Sequence, residues 1–276
     1  MPSIQPVYNN ESFVRTGPLM DLGSYPAWAR QMAADCAPVR QRVVNHAVFT
    51  SMRDLCLSER AARNCLVGLW PVVEQFPQFM AMNLLKLRYG QSPAHEMARH
   101  YLIRNIRVEQ HHADYWIDWA GAHGVPREDL LHGETPPASQ ALSYWLWHTC
   151  DRDPLAVAMA ATNYAIEGVT GEWAALVCTK SDYENSFPAD IRKKATRWLR
   201  LHAHYDDTHP WEALEIICGL VGTRPSAEVV ESLTNAVRTS YHYLALALDS
   251  CLADETASTN VIAMMPRSAY LPQNRV

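Results

Sequence analysis

Glycine is scarce in this 276-residue chain, with eleven residues in all. No Asn-Gly hairpin signal and no extended alternation of apolar and polar residues occurs. A sheet-based architecture is therefore excluded and an all-α fold expected. Cys-x-x-Cys is also missing. The seven cysteines, Cys36, Cys56, Cys65, Cys150, Cys178, Cys218 and Cys251, are odd in number and scattered, a pattern of reduced thiols in a cytosolic protein rather than of a disulfide framework. Positive charge is sparse too. No basic run exceeds Arg192-Lys193-Lys194, and a formal charge of −5 with a pI near 6.2 argues against a nucleic-acid partner.

Long hydrophobic runs are absent as well. The longest uncharged, largely apolar stretch, 154–166, is too short to cross a bilayer and is ended by Glu167. Residues 1–12 lack the basic and apolar regions of a signal peptide, so a cytoplasmic location is expected. What the chain does have is 48% hydrophobic content over its 276 residues, enough for a sizeable core in one domain. We expect ordered structure over about 15–253 and a polar, frayed tail from 254 to 276.

Periodicity and punctuation place helices at about 24–47, 58–87, 93–123, 139–150, 153–179, 188–207, 210–222 and 226–253. Ser58 serves as an N-cap, the run Gly124-Val125-Pro126 as a helix stop, and Pro188 and Pro210 as first-turn prolines. The prolines cluster between apolar stretches. Segments 124–138 and 180–187, rich in Gly, Pro and charge, read as surface connections.

Two motifs carry chemistry. Glu109 and His112 are three apart and project from one side of a helix, with Tyr101, Tyr115, Trp116 and Trp119 nearby. His202, Asp206 and His209 are spaced i, i+4, i+7, a single stripe on 3.6-residue geometry. With 14 Asp and 12 His in the chain, this second pattern is expected by chance only about 0.03 times, so it carries most of the weight. Glu167 is a lone carboxylate in the otherwise uncharged stretch 155–171, and a buried carboxylate needs a metal or an arginine. Carboxylate and imidazole donors suit iron or manganese, whereas structural zinc usually recruits thiolates. Three carboxylates against two divalent cations leave one positive charge, which an acid substrate would neutralise; a single cation would leave the site negative.

Other residues have two readings each. Gly168 and Gly171 cost helix stability and are explained by close approach of a substrate or of a neighbouring helix. Tyr164, near Glu167, is either a hydrogen-bond donor to a ligating carboxylate or a core tyrosine. Cys178 reads more readily as a small buried hydrophobe than as a nucleophile. Glu74 is expected to join a polar network, and His204 and Asp207 to serve the surface.

The set Glu-x-x-His, a lone Glu, then His-x-x-x-Asp-x-x-His resembles the ligand signature of the haem-oxygenase-like di-iron oxidases, the oxidative branch of the thiaminase-II-like (TenA-like) superfamily. Five segments carry the resemblance to that family's fatty-acid-decarboxylating members: 24–28 (Ser-Tyr-Pro-Ala-Trp), 68–76 (Gly-Leu-Trp-Pro-Val-Val-Glu-Gln-Phe), 104–109 (Arg-Asn-Ile-Arg-Val-Glu), 161–168 (Ala-Thr-Asn-Tyr-Ala-Ile-Glu-Gly) and 205–216 (Tyr-Asp-Asp-Thr-His-Pro-Trp-Glu-Ala-Leu-Glu-Ile). The similarity spans about 15 to 250. It implies a bundle of seven to eight helices and two Fe(II) ions with O2 as co-substrate. It also implies oxidative decarboxylation of a medium-chain fatty acid to a terminal alkene and CO2. Glu109, His112 and His202 would hold one iron and Glu167, Asp206 and His209 the other, with either glutamate free to bridge. An external electron donor is then required, no membrane insertion is expected, and a homodimer is allowed. The same ligand set suits oxidation of an amino acid or amine, while a thiaminase-type hydrolase would use a cysteine and no metal.

Overall fold

The computed structural model describes residues 11–204 and 208–264, with side chains described as far as Ala253. Asp206 and Asp207 lie outside the described residues, so the expectations for them are not addressed by the fold. Among the described residues the architecture is all-helical, without a strand. In chain order the helices are α1 (Ala27–Val44), α2 (Ala47–Arg53), α3 (Glu59–Leu84), α4 (Pro93–Glu109), α5 (His112–Ala122), α6 (Arg127–His132), α7 (Pro137–Arg152), α8 (Leu155–Met159), α9 (Glu167–Val177), α10 (Ser181–Asn185), α11 (Arg192–Ala195), α12 (Arg197–His204), α13 (His209–Val221) and α14 (Ala227–Met264). A π-helical turn, Ala160–Ile166, joins α8 to α9.

The bundle has more pieces than the seven to eight helices expected, for two reasons. Short helices α2, α6 and α10 form in segments read as connections or left unassigned, and three long helices are interrupted. The helix expected over 93–123 breaks at Gln110-His111, where the His111 amide bonds the Val108 carbonyl three residues back rather than four. The one expected over 153–179 loosens into the π turn. The one expected over 188–207 divides into α11 and α12, and Pro188 sits ahead of α11 in a turn rather than in a first helical turn. The last helix runs past 253 to Met264.

Ser58 does cap α3, its hydroxyl accepting from the Ala61 amide at 3.1 Å. Gly124, at φ +72°, closes α5 in a Schellman arrangement: its amide bonds the Gly121 carbonyl and the Val125 amide the Ala120 carbonyl. Pro210 occupies the first turn of α13. Pro38, Pro71 and Pro77, however, lie inside α1 and α3, each removing one backbone hydrogen bond that packing must offset.

The core forms around α14, which packs along α1, α3, α7 and the π turn, while α9 lies against α12 and α4 against α3 and α13. Gly168 and Gly171 are explained by helix packing: a Cβ on Gly168 would meet Pro210 Cβ at 3.1 Å, and one on Gly171 the His202 carbonyl at 3.3 Å. These two approaches bring α12 and α13 onto the face of α9 that carries Glu167. Among the described residues no helix is long and apolar enough to cross a membrane.

Candidate metal centre

Glu109, His112, Glu167 and His202 are each at most 5% exposed, and they come from four elements, α4, α5, α9 and α12. His209, the first residue of α13, is half-buried beside them. One ligand atom each from Glu109, Glu167 and His209 lies within 4.8 Å of the other two. His112 Nδ1 is 2.7 Å from Glu109 Oε2, and the His112 and His202 ring centroids are 4.5 Å apart. His209 Nδ1 is 2.8 Å from Glu167 Oε1.

The pairing of Glu109 and His112 on one helix needs correction. Glu109 closes α4 and His112 opens α5, so they meet across a break; the helix is interrupted where its own ladder tightens. His202 stands on α12 and His209 on α13, and residues 205–207 between them, with the rest of the expected i, i+4, i+7 stripe, lie outside the described residues. Glu109 reaches both His112 and the Glu167–His209 pair.

The neighbours of these ligands set their chemistry. His202 Nδ1 lies 2.9 Å from the Trp198 carbonyl. That bond places the proton on Nδ1 and leaves Nε2 as the donor nitrogen, the usual device for orienting a metal-binding imidazole. Burial and repulsion from His112 hold the His202 pKa well below its ordinary value, so the ring is neutral. Glu167 Oε2 is 3.3 Å from both the Tyr101 hydroxyl and the Asn163 amide nitrogen. Tyr101, not Tyr164, supplies the tyrosine at the carboxylate; Tyr164 lines a separate cavity. Burial raises the Glu167 pKa and the Glu109 charge adds to it, while the His209 hydrogen bond opposes it. Two buried carboxylates repelling each other beside the imidazoles of His112, His202 and His209 form a site that a cation completes. The donors are oxygen and nitrogen with no thiolate, which fits iron.

Tyr101 and Asn163 were not singled out from the sequence. Asn163 was detectable in principle as a second polar residue four before Glu167; Tyr101 reaches the site only because α4 packs on α13. Glu74 makes a weak contact with Gln78 at 3.4 Å, and it is Gln75 that anchors a network, accepting from Ser143 and Trp147 at 2.7 Å each. His204 is exposed. Cys178 is half-buried with its thiol pushed up to about 11 by burial, and it lines a cavity that contains none of the cluster residues.

Two cavities flank the cluster and share His202. The smaller, about 50 Å³, is walled by Val72, Val73, Phe76 and Ile166 along with Glu109, His112 and Glu167. The larger, about 230 Å³, lies beyond Gly168 and Gly171 among Leu22, Ala33, Ala175 and Trp211, with the Arg40–Glu172 ion pair on its wall.

The model of the iron-containing redox enzyme family, of haem-oxygenase type, matches residues 63–241. The chain belongs to that family. This stretch holds all six candidate ligands. As an iron-containing redox enzyme the chain is also similar to solved structures. A TenA homolog from Pseudomonas syringae pv. tomato str. DC3000 is 53% identical, with 88% of this chain and 100% of that one covered and a TM-score of 0.86. A domain of unknown function with a heme oxygenase-like fold from Shewanella denitrificans OS217 is 15% identical, covering 92% and 100%, with a TM-score of 0.63. A TenA homologue from P. horikoshii OT3 is 11% identical, covering 82% and 98%, at 0.62. The last two show the fold alone. Among curated proteins no match was found.

Proposed function

We propose that this iron-containing redox enzyme is an O2-dependent oxidative decarboxylase of medium-chain fatty acids, converting an acid such as dodecanoic acid into 1-undecene and CO2. The observation that carries the reading is the juxtaposition of a buried carboxylate–imidazole cluster with a large, mostly apolar cavity, the two sharing His202. The five sequence segments that resemble UndA, the bacterial 1-undecene-forming decarboxylase, support the same reading.

Glu109, His112, Glu167, His202 and His209, with Asp206, are the residues that would hold two Fe(II) ions. Iron bound there supplies one-electron redox chemistry with O2 and a positive seat for a carboxylate. The protein does the rest. At roughly 10–15 Å³ per water-sized group, the smaller cavity at about 50 Å³ takes only a few such groups, whereas the larger at about 230 Å³ suits the fourteen heavy atoms of dodecanoic acid. Seating the acyl chain there, head group toward His202, leaves the carbons next to the carboxylate nearest the cluster. The apolar walls keep water from the reacting carbons. The conversion removes two protons, one from the β-carbon and one from the acid, and two electrons in all. Complete reduction of O2 to water takes four electrons, so the other two come from an external donor.

A second reading has one observation in its favour. The Arg40–Glu172 pair on the cavity wall offers complementary charges to the carboxylate and ammonium of an amino acid. A thiaminase-type hydrolase has no such support, because Cys178 is a neutral thiol away from the cluster. The deciding experiment is headspace gas chromatography of anaerobic protein loaded with Fe(II) and dodecanoic acid, then exposed to O2. A 1-undecene peak that requires both iron and O2 supports the decarboxylase. Its absence at full iron loading, with amino-acid oxidation in parallel incubations, overturns it.

A further inference from the structure

Behind His202 the structure holds an aromatic path that neither metal binding nor substrate binding requires. The Trp198 indole stacks on the His202 ring with centroids 3.8 Å apart and planes at 29°. Trp119 stacks in turn on Trp198, at 5.6 Å and 15°. Trp119 Nε1 donates to the Tyr183 hydroxyl at 2.9 Å, and that hydroxyl lies 2.9 Å from His123 Nε2. Trp116 and Trp173 pack against Trp198 at 4.7 and 5.3 Å. Trp116, Trp119, Trp173, Trp198 and Tyr183 are buried, while His123 is only half-buried. Every neighbouring pair from His202 to His123 is thus in ring contact or joined by a hydrogen bond.

We propose that Trp198, Trp119 and Tyr183 form a one-electron relay between the metal centre and the surface, with His123 as its proton acceptor. The relay rests on the iron reading of the centre and not on the identity of the organic substrate. An iron ion oxidised by O2 gains one electron through His202. Trp198 and then Trp119 pass the deficit outward, and Tyr183 loses one electron. Its phenolic proton moves to His123 Nε2 in the same event. A one-electron reductant of the ascorbate class returns the electron, becoming its own radical, and His123 returns the proton.

Three features favour a relay over simple packing. The Trp198 indole nitrogen is buried and finds no acceptor among the described residues, so an oxidised Trp198 keeps its proton and can only hand the deficit on. Tyr183 has a base at hydrogen-bond distance, and burial holds its phenol protonated far above the ordinary tyrosine range, so its oxidation must be coupled to that proton transfer. Burial lowers the His123 pKa, leaving it neutral and able to accept.

The test is rapid-freeze-quench electron paramagnetic resonance on Fe(II)-loaded protein mixed with O2 without organic substrate, with iron oxidation followed optically in the same samples. Wild type should give a tyrosyl signal that ring-deuterated tyrosine alters. Tyr183→Phe should replace it with a tryptophan-type signal, and Trp198→Phe should remove both, with iron content unchanged. His123→Gln should slow tyrosyl formation and change its solvent isotope effect. Re-reduction of the oxidised centre by ascorbate should slow severalfold in Trp119→Phe and Tyr183→Phe. Iron oxidation with no protein radical in wild type, and equal re-reduction rates in all variants, overturns the relay while leaving the iron reading intact. Failure of iron to bind or to oxidise overturns both.

Discussion

His209 Nδ1 lies 2.8 Å from Glu167 Oε1 although the two are 42 residues apart and on different helices. This contact joins α13 to α9 at the candidate metal cluster. Replacing His209 by alanine should lower bound iron by one ion per chain and abolish alkene formation while the fold persists. Elemental analysis after anaerobic loading measures the first, and gas chromatography the second; full iron content with full activity would sink the two-iron assignment.

Tyr101 holds Glu167 Oε2 and the His209 carbonyl at 3.3 Å each. Tyr101→Phe keeps the ring and removes the hydroxyl, so the carboxylate loses a donor that orients it. Metal affinity, read by competition with a chromogenic chelator, should fall by about 10–100-fold. An unchanged affinity would assign the tyrosine to packing only.

Gly168 lets Pro210 approach to where its own Cβ would stand. In Gly168→Ala the gain in helix propensity, about 1 kcal/mol, is opposed by overpacking of about 1–3 kcal/mol against a ring that cannot turn away. Net destabilisation of the metal-free protein in urea is expected. Iron loading should fall too, since Pro210 carries His209 with it. A more stable variant with normal loading would show that α13 can yield.

His123 has a pKa depressed by burial below its ordinary 6.5. The unfolded chain therefore binds the proton more readily than the folded one. The stability tied to neutral His123 is fully present above pH 6.5 and is lost as pH falls from there toward the folded pKa. Urea titrations of metal-free protein should show a shallower loss of stability below pH 6.5 in His123→Gln than in wild type.

Ala175 faces the larger cavity. Ala175→Phe should move substrate preference toward shorter acids, and in wild type each methylene lost should weaken selectivity only gradually, by about 0.8 kcal/mol or roughly fourfold. A competition assay over a series of acids would reveal instead whether the pocket has a hard floor.

The sequence by itself determined the helical class and the residue types of the candidate cluster. Helical periodicity, sparse glycine and the residue chemistry of Glu109, His112, Glu167, His202 and His209 are local properties, and local properties survive in one dimension. Ser58, Gly124 and Pro210 were legible for the same reason, because caps and first-turn prolines answer to neighbouring backbone groups. The tertiary structure decided what those ligands do together. Glu109 and His112 meet across a break between α4 and α5, and Gly168 and Gly171 let Pro210 and the His202 carbonyl approach α9. Tyr101, Asn163 and the stack of Trp198 on His202 likewise depend on helix packing or on the π turn. A periodic pattern assumes an unbroken helix, and between Glu109 and His112 the helix is broken. The geometry of the ligands therefore follows from packing between elements and not from spacing within one.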